Sequence, residues 1–108
     1  MVLIKYSDKI FLTDKVKKNI DKYRKDIEGR SYISRACLIR FAANEDDVFD
    51  IIPLINLKIS EVYNDITVIG IAESRKAAIN LCAEMTKMYL DENSDVSMRH
   101  YFESMLYK

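Results

Sequence analysis

The stretch Asp65 to Cys82, DITVIGIAESRKAAINLC, decides how this chain folds. Ile66 to Ala72 is apolar and rich in β-branched residues, the composition of a central strand. From Ser74 the apolar period changes: Ala78, Leu81, Cys82, Met85 and Tyr89 make one helical stripe, and Ile79, Ala83, Thr86 and Leu90 make a second beside it. Lys76, Asn80, Glu84, Lys87 and Asp91 are confined to a thin polar face. The stretch therefore predicts a strand, a short turn and a helix over 74–91 with Ser74 as its N-cap. A helix apolar around most of its circumference must be covered on two sides, by the sheet and by either the C-terminal segment or a second copy of the chain.

Strand-turn-helix units also cradle phosphates, so the chemistry of the turn matters. A dinucleotide fingerprint needs three spaced glycines. Gly70-Ile71-Ala72-Glu73-Ser74 offers one, inside the strand, and Glu73 repels an anion. Gly70 is better explained by close approach of a neighbouring backbone or side chain. One feature keeps an anion site in view. Arg75 and Lys76 stand at the positive end of the helix dipole, and Asp91 and Glu92 at its negative end, so both ends carry the wrong sign. A bound anion would relieve the first mismatch, and so would hydration. Ser74, Arg75 and Lys76 are thus candidate anion-binding residues.

On the N-terminal side, ISRACLIRFA over 33–42 is apolar on both alternating faces and predicts a second central strand covered on both sides, with a buried helix as its competitor. Before it, TDKVKKNIDKYRKDIEG predicts a peripheral helix over 13–28. Thr13 is its N-cap, Gly29 a left-handed terminator, and Val16, Ile20, Tyr23 and Ile27 one narrow apolar stripe. Its charges fall into i,i+4 pairs (Asp14 with Lys18, Lys17 with Asp21, Asp21 with Lys25, Lys22 with Asp26, Arg24 with Glu28), which argues against a basic nucleic-acid ridge. VLIKYSDKIFL over 2–12 predicts a hairpin turning at Ser7-Asp8-Lys9, although no glycine supplies the turn.

Between the two central strands, Asn44-Glu45-Asp46-Asp47 has the form of a capped first helical turn, which predicts a helix over 45–52 ended or kinked by Pro53. The acid cluster of Glu45, Asp46, Asp47 and Asp50 departs from calcium-loop spacing and needs no metal. Beyond Pro53, alternation of Ile55, Leu57 and Ile59 competes as a strand with continuation of the helix. A helical crossover over 43–64, joining the central strands as a βαβ unit, is the preferred reading. Residues 95–102 suit a strand or a helix equally.

The whole-chain numbers agree with a single domain. A chain of 108 residues hides one core. With 49% apolar and 31% charged residues, two Gly and one Pro, disorder and a loop-dominated all-β fold are disfavoured. Residues 1–40 hold eleven Lys and Arg against five Asp and Glu, and residues 41–108 six against twelve. The halves are complementary, which means either that they neutralise one another or that the basic half offers a surface to an anionic partner. Cys37 and Cys82 sit in apolar segments without a Cys or His at metal-ligand spacing, as buried reduced thiols do. No window approaches the ~20 apolar residues of a membrane span, and the expected location is the cytoplasm.

The expectation is one small α/β or α+β domain over 1–108, a short mixed sheet with central strands near 33–42 and 66–72 covered by helices near 13–28, 45–52 and 74–91. No catalytic set, cofactor motif or metal motif is expected; pairing of His100 with either cysteine would require a contact no spacing implies. The leading functional expectation is a non-enzymatic interaction or regulatory module, homodimeric through the 74–91 helix and an aromatic and methionine patch of Met85, Tyr89, Tyr101, Phe102 and Met105. The alternative is nucleic-acid or phosphate-ligand binding through the basic N-terminal half and the 73–77 turn.

Overall fold

The computed structural model describes residues 4–29, 34–42, 48–59, 66–93 and 95–106. Its elements run β1 (Ile4–Leu12), α1 (Asp14–Lys18), α2 (Ile20–Glu28), β2 (Cys37–Phe41), β3 (Phe49–Pro53), α3 (Leu54–Ile59), β4 (Ile66–Ala72), α4 (Arg75–Glu92) and α5 (Met98–Leu106). The four strands make one mixed sheet in the order β1-β4-β2-β3. β1 is parallel to β4, whereas β2 is antiparallel to both β4 and β3. The two expected central strands, β2 and β4, are indeed the middle of the sheet.

Helices cover both faces. On one, Val16, Tyr23 and Ile27 of α1 and α2 bury against Leu38, Ile52, Leu54, Ile66, Val68 and Ile71. Ile20 packs beside them, so the stripe predicted for this helix is the face that docks. On the other, Ala78, Leu81 and Met85 of α4 and Phe102 and Leu106 of α5 bury against Cys37, Ile39, Ile69 and Ala72. Val68 and Ile71 share a face although they are three apart, so the alternation of β4 slips at Ile69-Gly70. Gly70 lies opposite Ile39, and a Cβ there would stand 3.1 Å from Ile39 Cδ1 and 3.2 Å from Ile39 Cβ. The close approach expected of this glycine is what the structure shows.

The hairpin predicted over 2–12 is, in its described residues 4–12, one strand instead. Ile4 to Tyr6 and Phe11 to Leu12 pair in parallel with the same neighbour, β4, and the register shifts between Tyr6 and Phe11. Ser7-Asp8-Lys9 therefore bulges rather than turns, with the Ser7 hydroxyl donating to the Lys9 carbonyl. Without a glycine the triplet is a poor tight hairpin turn, and among the described residues outside glycine only Asn93 has positive φ.

The helix expected over 45–52 is also corrected. Phe49 to Pro53 is strand β3, paired residue by residue with β2 from Phe41↔Phe49 to Cys37↔Pro53. The apolar residues of this segment alternate between faces, Phe49 and Ile51 to the α4 side and Ile52 to the α1 side. β3 is an edge strand, where Pro53 leaves no central ladder bond unmade. The acidic turn at 44–47 lies outside the described residues. The crossover reading fails with the helix, because β2 is antiparallel to β4; it is β3 that returns through α3 to a parallel β4, passing β2.

The helix over 13–28 is broken at Asn19 (φ −127°, ψ 36°). The Asn19 side-chain amide donates to Lys15 O at 3.1 Å and its backbone N–H bonds Val16 O, three residues back, at 3.1 Å. Local bonding by Asn competes with the helix in this way. The expected Lys17 and Asp21 pairing spans the break. Gly29 ends α2 in a right-handed conformation (φ −81°, ψ −3°), not the left-handed one expected. Within the open segment 95–102 a helix begins at Met98, and beyond Pro53 the described residues 54–59 are helical.

Candidate functional site

The turn into α4 forms as its sequence dictates. Ser74 is extended, and its Oγ accepts from the Ala77 amide at 3.1 Å, spending the hydroxyl on the cap. The preceding residue, Glu73, accepts a hydrogen bond from Thr13 Oγ1 at 2.7 Å, which ties the end of β4 to the start of α1. Beside this contact lies a recess of about 400 Å³ whose polar rim is Thr13, Asp14, Lys15, Glu73, Asn80 and Glu84. Three carboxylates against one ammonium make it acidic. Arg75 and Lys76 are exposed and do not line it. The three residues proposed for an anion thus have Ser74 committed to its own helix, two solvated cations, and a carboxylate next in the chain.

Neither cysteine has the lowered pKa of an activated thiol. Cys37 is buried in β2 and burial pushes its thiol up, with Arg75 opposing the rise. Cys82 on α4 is pushed up by burial to about 11, so it stays a protonated thiol at neutral pH. His100 is exposed on α5, its backbone N–H donating to Ser97 Oγ at 3.2 Å. Tyr23 and Tyr101 are both raised, first by burial and then by neighbouring carboxylates, Glu73 and Asp26 for the former and Glu92 for the latter. The two cysteines and these two tyrosines hold their protons more tightly than usual, which is the opposite of an activated nucleophile.

The patch expected as a dimer surface divides in two. Met85 and Phe102 are 1% and 0% exposed and fill the chain's own core, so neither presents a side chain to a partner. Phe102 is the hub of an aromatic cluster, with ring centroids 5.0 Å from Tyr101, 5.4 Å from Phe49 and 5.9 Å from Phe11, all edge-to-face. Tyr89, Tyr101 and Met105 are half-buried at its margin; Tyr89 and Tyr101 meet edge-to-face at 5.4 Å, and Tyr89 Oη donates to Val96 O. The start of α5 is also held by Arg99, whose guanidinium donates to Ala42 O and lies over the Phe41 ring. The C-terminal helix is therefore the second cover that α4 requires, and it covers the first stripe only.

The stripe left over is the second one. Ile79 is 51% exposed and Leu90 66%, with exposed Ala83 and partly buried Thr86 between them. Thr86 Oγ1 donates to Cys82 O at 2.9 Å, so its hydroxyl is already satisfied within α4 and its methyl adds to an apolar surface at no polar cost. The first turn of α4 carries no acid and the last turn no base. Arg75 and Lys76 at one end and Asp91 and Glu92 at the other are all exposed. The outer face of α4 is thus an apolar line with a cationic and an anionic end. Both stripes are largely apolar in sequence; the seating of α4 on the sheet and on α5 is what separates them. No protein-family model, no curated protein and no solved structure matches the chain.

Proposed function

We propose that this protein is a non-enzymatic interaction module that associates with a second copy of itself through the outer face of α4. The observation that carries the reading is the row Ile79, Ala83, Thr86 and Leu90, spaced four, three and four along an 18-residue helix and open to solvent at both of its large members. That spacing is a seam of the type by which helices pack on helices, with small residues at its centre to let the backbones approach. Exposed single apolar residues are ordinary, but an aligned row on a rigid, capped helix is a docking surface. The raised pKa values of both cysteines and of Tyr23 and Tyr101 fit a role without nucleophilic chemistry.

A single helix pair lies at the low end of the size range of specific interfaces, so association in the micromolar range is expected, roughly 1–100 μM. Sedimentation equilibrium of the full chain up to several hundred micromolar tests it. Dimerisation that Ile79→Lys and Leu90→Lys each abolish supports the reading. A monomer at every concentration refutes it, as does a dimer indifferent to both substitutions.

A further inference from the structure

We infer that the two α4 helices of this pair run antiparallel about a two-fold axis that crosses between Ala83 and Thr86, with Lys76 of each copy against Asp91 of the other. The inference rests on the self-association just proposed and adds its direction, register and charge code.

The direction follows from the ends of the helix. Arg75 and Lys76 stand where the dipole is positive, and Asp91 and Glu92 where it is negative, so each end is mismatched within one chain. In a parallel pair the four cations would share one end and the four anions the other, with the dipoles aligned head by head. In an antiparallel pair each cationic end meets an anionic one and the dipoles oppose, so that both mismatches are offset by the same arrangement. Two-fold self-complementarity is also the commonest closed symmetry for a homodimer.

The register follows from the seam. Ile79 with Leu90 and Ala83 with Thr86 are pairs symmetric about one point, between Glu84 and Met85, so a single axis sets large against large at the flanks and small against small in the middle. Lys76 and Asp91 lie on opposite sides of that same point but two positions out of symmetry, an axial offset of about 3 Å that a lysine side chain can span. With about 100° of turn per residue they fall on the same side of the seam. In an antiparallel pair that side of one helix faces the same side of the other, which brings Lys76 to Asp91 twice per dimer. Both are exposed in the single chain, so the pairing needs no rearrangement of the fold.

The test uses the full chain and two charge reversals, Lys76→Glu and Asp91→Lys, measured alone and mixed in equal amounts by sedimentation. Each reversal turns two attractions into two repulsions in its own homodimer and weakens self-association by roughly tenfold. Mixed, the two variants are complementary at both contacts. At one, the introduced glutamate of the first variant meets the introduced lysine of the second; at the other, the unaltered Lys76 and Asp91 meet as in the wild type. Their heterodimer therefore forms within about twofold of the wild-type affinity. Lys76→Glu also corrects the sign at the helix N-terminus, so its thermal stability as a monomer is unchanged or higher. A merely damaged helix would move the other way. Reversals that leave affinity unchanged, or that associate no better mixed than alone, overturn the antiparallel register; if Ile79→Lys still dissociates the dimer, the docking face itself survives. A wild-type monomer overturns both.

Discussion

Substituting Gly70 by Ala should destabilise the protein, and the sign of the effect is the test. In an open strand the change would be favourable, because glycine loses more backbone freedom on folding and costs roughly 0.5–1 kcal/mol relative to alanine. Gly70 is not open. Its added Cβ would sit 3.1 Å from Ile39 Cδ1, 3.2 Å from Ile39 Cβ and 3.4 Å from Phe11 O, inside the usual carbon contact of about 3.5–4.0 Å. Ile39 Cδ1 could swing aside only in a loose core, and Ile39 is fully buried between Ile69, Ala72 and α4. Its Cβ and the Phe11 carbonyl are fixed by the backbone of the two flanking strands, each hydrogen-bonded to β4. Overpacking of this kind costs ~1–3 kcal/mol, which exceeds the entropic gain and leaves a net loss of about 1–2 kcal/mol. Urea denaturation followed by circular dichroism measures it. Ile39→Val removes the nearest atom and keeps Cβ, so the double variant should recover part of the loss, with a coupling of roughly 0.5–1 kcal/mol in the cycle. A Gly70→Ala protein as stable as wild type or more so, or strict additivity with Ile39→Val, would refute the close-approach argument.

Three further outcomes are expected. Phe102→Ala removes the hub of the aromatic cluster and should cost ~3–5 kcal/mol by the same urea assay, while Leu90→Ala on the exposed stripe should stay within about 0.5 kcal/mol. Ser74→Ala loses the bond from the Ala77 amide and should cost ~0.5–2 kcal/mol with faster hydrogen exchange at the start of α4, whereas Ser74→Asp should retain stability because it both caps and complements the dipole. Stability should also fall at alkaline pH through Cys82. Its thiol titrates near 9.0 when unfolded and at about 11 when folded, so between those values the unfolded chain binds fewer protons and each rise in pH favours it. The loss begins above about pH 9, saturates past pH 11 at about 1–2 kcal/mol once solvent screening of the part-exposed thiol is allowed for, and shrinks in Cys82→Ala, whose slope over that window isolates the thiol from the tyrosines.

The parts of the fold legible in sequence are those where one local rule acts alone. Ser74 caps α4 because nothing else competes for its hydroxyl, and Val16, Ile20, Tyr23 and Ile27 dock because α1 and α2 have no other apolar face. The errors fall where two rules compete. Ser7-Asp8-Lys9 has the polarity of a turn, but both flanking runs found the same parallel partner, a choice made about 60 residues away in β4. Val48 to Leu54 has an acidic helix start before it and β-branched density within it; the edge of β2 decided in favour of the strand. Asn19 could be read as one polar residue on a charged helix, yet its side-chain amide was free to bond Lys15 O and break the helix there.

The outer face of α4 was hidden from sequence for a different reason. A helix with two adjoining apolar stripes announces that two covers exist, but which stripe is filled within the chain depends on how α4 seats on the sheet and on α5, and α5 is placed by Phe102 meeting Phe11 and Phe49. Once the first stripe is taken, the second keeps Ile79 and Leu90 in water at a cost that buried apolar area would recover, roughly 25 cal/mol per Å². The charges at the two ends of α4 run against its own dipole, a small penalty that a solitary helix has no reason to keep. An exposed seam and inverted terminal charges have separate physical origins, and a second α4 lying antiparallel across the first offsets both.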